Sequence, residues 1–169
     1  MKKRIIISTI IVMLFSIIYH GAFKLIKIPI FPVNESIWEH GKMITLSFIS
    51  LTIIEKYLFK RNENVLISNF LSGIICIILD FIIFSPIYFY ILKTNDNMII
   101  TIAVYILCIM LTIYIKEKHL ICDKDIRIEK LSIFGYLLLM SIFLMLTYKP
   151  IRIPIFYDYN KKIYGINLK

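Results

Sequence analysis

The sequence predicts an all-α integral membrane bundle of about five transmembrane helices, with the N-terminus in the cytoplasm. Three observations predict it. The 169 residues are 59% hydrophobic, against about 45–50% apolar in an ordinary soluble domain. The apolar residues fall into blocks near the roughly 20 residues that cross about 30 Å of hydrocarbon. Most of the charges sit between the blocks. Mean hydropathy is +0.81, and the length suits one domain.

The first helix is expected over 5–23, behind the basic start Lys2-Lys3-Arg4. A signal peptide opens in the same way, but no small-x-small cleavage site follows, so the run reads as an uncleaved span. The second helix is expected over 36–59. Ser36 followed by Glu39 fits a capping box, in which the two residues satisfy orphan N–H groups reciprocally. Pro32 keeps the preceding chain out of that helix. The third helix covers 65–92, and Pro86 within it predicts a kink. The fourth covers 98–115. The fifth covers 131–148 and is stopped by Pro150. Residues 1–148 therefore form the bundle and 149–169 a C-terminal interfacial tail.

The net charge is +9, from 20 Lys and Arg against 11 Asp and Glu. In a soluble protein this would suggest nucleic acid. Here it reads as topology and attraction to anionic lipid, so lipid is the expected partner and nucleic acid is not. Lys2, Lys3 and Arg4, then Lys56, Lys60 and Arg61, then Lys116, Lys118, Lys124, Arg127 and Lys130 mark alternate ends of the helices. The intervening ends are poorer, with Lys24, Lys27 and Lys42 at one and Lys93 at the other. Positive-inside places the N-terminus in the cytoplasm and the tail outside, although the tail carries Lys149, Arg152, Lys161, Lys162 and Lys169. Lys27-Ile28-Pro29-Ile30-Phe31 is echoed by Arg152-Ile153-Pro154-Ile155-Phe156, and both fall on that outer face. The three cysteines form no CxxC pattern and no disulfide framework.

Lipid gives helices no hydrophobic reason to associate, so small and polar residues mark the faces that meet. They recur at helical spacing: Thr9, Ser16 and His20; Glu39, His40, Ser47 and Ser50; Asn69, Gly73, Cys76 and Asp80; Thr101, Tyr105, Cys108 and Thr112; Ser132, Tyr136 and Thr147. Trp38 points away from the second stripe and reads as an interfacial anchor. Each charge at mid-bilayer costs roughly 2.5–3.5 kcal/mol on insertion scales, so Asp80 must be protonated, paired or wet. At 1.5 Å per residue, His20 and Asp80 both sit roughly 22 Å from the cytoplasmic ends of their helices. His20, Glu35, Glu39, His40 and Asp80 thus gather towards one layer in the outer half. Asn34, Ser36, Trp38, Lys42 and Tyr105 would support them.

Such a set can relay protons or bind a cation. His20, Glu39 and His40 could also hold a divalent metal, the one cofactor the residues suggest. No H-E-x-x-H, P-loop or Gly-x-Ser-x-Gly motif is present. Glu55 and Lys56 end the second helix, where interfacial charge is ordinary, and His119-x-x-Cys122 reads as a solvated loop.

The run Phe31-Pro32-Val33-Asn34-Glu35-Ser36-Ile37-Trp38-Glu39-His40-Gly41-Lys42 resembles the Pro-Val-Asn-Glu-Ser-x-Trp-Glu-His-x-Lys signature of a family of small bacterial membrane proteins of unknown function. His20, the tail Pro154-Ile155-Phe156-Tyr157-Asp158 and Tyr164-Gly165 are similar to that family too. The resemblance implies a multi-pass protein of the bacterial cell membrane with residues 34–42 as its hallmark, and it implies no activity. Three functions stay open. The foremost is a polar or cation-binding site that moves a proton, ion or small solute. Next is a non-catalytic subunit that meets a membrane partner or a second copy of itself. Last is a metal-dependent hydrolase, with Glu39 as general base.

Overall fold

The computed structural model describes every residue except Met1, Lys27, residues 93–96, Lys124 and residues 167–169. Lys27, Lys93, Lys124 and Lys169, four of the cations in the charge argument, lie outside the described residues.

Five helices run α1 (Lys2–Ile26), α2 (Ile37–Ile53), α3 (Val65–Pro86), α4 (Met98–Ile115) and α5 (Ile126–Tyr148). One π-helical turn prolongs each of α2, α3 and α4, at Ile54–Leu58, Ile87–Ile91 and Lys116–Leu120. Pro86 has no N–H for the helical ladder, and the turn that follows it is the widened one. α5 starts at Ile126 rather than at 131, because Asp125 caps it by accepting a hydrogen bond from Arg127 N at 2.8 Å. The tail forms a 3-10 turn at Pro154–Phe156 and a short antiparallel hairpin, β1 (Tyr157–Asp158) with β2 (Ile163–Tyr164), pairing Tyr157 with Tyr164.

Among the described residues, four helical stretches are long and apolar enough to cross a membrane: Lys2–Ala22, Val65–Ile91, Ile99–Leu120 and Ile126–Tyr148. α2 is not among them. It carries Glu39, His40 and Lys42, and it is sheathed: its residues are buried almost continuously from Ile37 to Thr52. It packs on α1, α3 and α5. A helix wrapped by others needs no apolar outer face, so polar residues concentrate there.

The bundle inverts the pattern of a soluble protein. Ser16, Lys42, Thr45, Ser47, Glu55, Asn69 and Thr112 are buried, while Ile10, Leu14, Leu107, Leu111, Phe134 and Leu137 are exposed. Inside, several of the hydroxyls are satisfied locally. Thr45 donates to Gly41 O, Ser47 to Met43 O and Thr52 to Phe48 O, the back-bonding available to Ser and Thr within helices. Between helices, Ser16 Oγ meets Ser47 Oγ at 2.9 Å and Tyr105 Oη at 2.8 Å. The stripes of the first, second and fourth helices therefore touch.

The tail is stitched to the start of α2. Asn34 Nδ2 donates to Gly165 O at 2.8 Å, and Glu35 N donates to Asp158 Oδ2 at 2.9 Å. The other oxygen of Asp158 accepts from Asn160 N and Lys161 N. Gly165 has φ +59°, and a Cβ there would lie 2.3 Å from Thr147 O. Both the strain and the clash resist a side chain. Gly165→Ala is expected to cost about 1–3 kcal/mol and to free the tail, read as faster proteolysis after Tyr148 with the bundle intact. Wild-type cleavage rates would show that the stitch carries no stability.

Candidate functional site: a polar cavity at the first-loop end

α1, α2, α3 and α4 leave a cavity of about 480 Å³ between them. Its lining draws on the ends of α1 and α3, the starts of α2 and α4, and the chain just before α2. His20, Glu35, His40 and Asp80 all face it, with Ser16, Thr101 and Tyr105 as further polar groups. The rest is apolar or aromatic, including Met13, Ile17, Ile37, Met43, Phe84, Tyr88 and Ile102. The lining grades with depth. Ile17 is 67% exposed and Ile102 40%, whereas Ser16 and Phe84 are 3% and Asp80 is 2%. The mouth therefore lies on the outer surface beside α1 and α4, and Asp80 is at the floor.

Two ionisable features mark the cavity. His20 Nε2 lies 3.5 Å from Glu35 Oε2 near the mouth. At the floor, Oδ2 of Asp80 is buried and finds no hydrogen-bond partner among the described residues. Buried polar atoms are nearly always partnered, so such an atom calls for a reason. His40 projects from α2 with its ring 5.8 Å from that of Phe84.

The cavity gathers four of the five predicted ionisable residues and leaves out Glu39. Adjacent positions on a helix are about 100° apart, so Glu39 and His40 cannot share one face. Ile37, His40 and Met43 turn to the cavity, and Glu39 and Lys42 turn to α5. Lys42 Nζ lies 2.7 Å from Glu39 Oε2 and donates to Thr147 Oγ1 at 2.8 Å and Pro29 O at 2.9 Å. Glu39 also accepts from Thr147 Oγ1 and from Val33 N. The capping box is not formed, because Asn34 Oδ1 already takes the N–H of Ser36. Nor is Trp38 a surface anchor: it packs on Phe143, Phe81 and Phe156. His20, Glu39 and His40 do not converge as a metal site. Among the described residues no group of three His, Cys, Asp or Glu side chains is placed to hold an ion.

A second ionic cluster, at the opposite end, was not anticipated. Glu55 is 1% exposed, and its carboxylate accepts from Lys116 Nζ at 2.7 and 2.8 Å, Arg61 Nη1 at 2.7 Å and Asn69 Nδ2 at 2.8 Å. Arg61 also reaches Glu117 at 2.9 Å and Glu63 at 3.2 Å. Burial opposes the charge of Arg61, but the hydrogen bond to Glu117 and the Glu55 carboxylate outweigh it and raise its pKa further. Glu55 stands in the π-helical turn that closes α2, inside the range expected for that helix, and it is buried rather than solvated. Since every cation in this cluster has a carboxylate beside it, the arrangement locks α2, α3 and α4 together.

The fold and the cavity together define an all-α membrane protein, with a cavity lined by ionisable residues at one end and an ionic lock at the other. The chain belongs to the family of unknown function DUF6512, whose model matches residues 1–166. No curated protein and no solved structure matches it.

Proposed function

We propose that this is a multi-pass protein of the bacterial plasma membrane whose cavity binds a small cationic species. On this reading it lets a proton, an ion or a small solute reach the interior of the bundle from the outer face. The observation that carries the reading is Asp80, buried at the cavity floor with one carboxyl oxygen unpartnered. A buried carboxyl oxygen without a partner is costly, whereas one that exchanges a cation with the cavity has a use. The charge pattern supports the orientation: Lys2, Lys3, Arg4, Lys56 and Lys60 belong to the end opposite the cavity. His20, Glu35 and His40 would tune the cavity, and Tyr105 would support its wall. The family signature reads here as two functions in one stretch, with Glu35 and His40 serving the cavity and Asn34, Glu39 and Lys42 holding it in place.

Infrared difference spectra of the purified protein across a pH titration test the reading. A carboxyl band that responds to pH, shifts promptly in D₂O and vanishes in a folded Asp80→Asn variant is expected. A band that neither titrates nor exchanges would mean Asp80 is sealed from water, and a packing role in a larger assembly would replace the binding site.

A further inference from the structure

Resting on that reading, we propose that the ligand is a lipophilic organic ammonium ion, an amine or quaternary ammonium with an apolar body, that enters from the bilayer. A proton needs no cavity. A divalent metal ion is usually held by several His, Cys, Asp or Glu side chains converging on one point, and the described residues offer no group of three. The volume of about 480 Å³ falls in the range that encloses small organic molecules, roughly 300–1,000 Å³. The lining is divided to suit one. Asp80 offers an unpartnered carboxyl oxygen at the floor, and Phe84, Tyr88 and Tyr105 line the same cavity. Aromatic faces attract ammonium groups held within about 6 Å, more so when water is excluded. Met13, Ile17, Ile37, Met43 and Ile102 would enclose the apolar body. His20 and Glu35 face each other near the mouth, and Asp80 is the most deeply buried carboxyl group of the lining. Finally, Ile17 and Ile102 are exposed on α1 and α4, two helices long and apolar enough to span. A ligand dissolved in lipid meets these side chains first.

Equilibrium dialysis of the detergent-purified full chain with radiolabelled benzyltrimethylammonium tests this. Saturable binding of about one ion per chain is expected, weakened at least tenfold in Asp80→Asn that stays monodisperse and helical. Neopentylbenzene, the uncharged carbon isostere, should not displace it at equal free concentration, and neither should sodium, potassium or magnesium. Should Asp80→Asn fail to fold, these competitions alone decide. Equal displacement by the isostere would show a merely greasy cavity, and displacement by an inorganic cation would show an ion site. Either result overturns the ligand class, as does undiminished binding to a folded Asp80→Asn variant. The two proposals fail separately. If Asp80 titrates from water yet no ammonium binds, the cavity stands and the ligand is wrong. If Asp80 is sealed, both fall.

Discussion

Glu55→Ala should be the most damaging single change in the membrane end opposite the cavity, costing about 3–5 kcal/mol of folding free energy. The reason is what it leaves behind. Lys116 is fully buried and its ammonium sits against both oxygens of Glu55. Without Glu55, the carboxylate nearest that ammonium is Glu117, at 3.7 Å. A buried charge stripped of its partner costs far more than the pair itself contributes. Folded proteins hold only about 5–15 kcal/mol in total, so the variant should lose much of its folded yield. Unfolding in mixed micelles of rising denaturing detergent fraction measures it. Replacing Glu55 and Lys116 together by leucine should recover most of the loss, because the orphaned charge is then gone. A single variant as stable as the wild type would mean the interior there is wet.

The lock also shows where sequence reasoning stopped short. The stripe of the fourth helix, Thr101, Tyr105, Cys108 and Thr112, continues at the same spacing to Lys116, and Ser47 leads by two turns to Glu55. The periodicity thus pointed at both residues. They were set aside because a charge at a helix end is ordinarily solvated. The sequence could not reveal that a π-helical turn carries α4 past its expected end, or that the π-helical turn closing α2 buries Glu55. The five helices themselves were legible because apolar length is a strong signal. The role of α2 was not, since a helix sheathed by its neighbours is identified by the tertiary packing around it. The cavity was half legible. Linear distance along each helix put His20 and Asp80 in one layer, and the structure places both in one lining. Linear distance carries no rotation, though, so Glu39 was grouped with His40 although the helix turns them to different neighbours. Trp38 was misread for the same reason: its partner Phe156 lies far along the chain, in the tail.

That rotation gives the second large effect, a contrast between two adjacent residues of α2. Glu39→Ala should cost about 3–5 kcal/mol, and His40→Ala about 1 kcal/mol, the usual size for a single substitution. Glu39 is 1% exposed and Lys42 fully buried, 2.7 Å apart. The pair also fixes Thr147 on α5 and Val33 before α2, so its loss loosens the first loop and the tail together. Glu39→Gln keeps the shape but not the charge, and should fall between the two. His40 is only partly buried and lines the cavity, so its removal should spare the fold and alter ligand binding instead. Detergent-driven unfolding of the three variants, beside ammonium binding by each folded one, checks the contrast. If Glu39→Ala were as stable as His40→Ala, the Glu39–Lys42 pair would not be structural, and its charges would have to be counted with those of the cavity. If His40→Ala unfolded as readily as Glu39→Ala, the cavity wall would be part of the packing, and the start of α2 would serve folding alone.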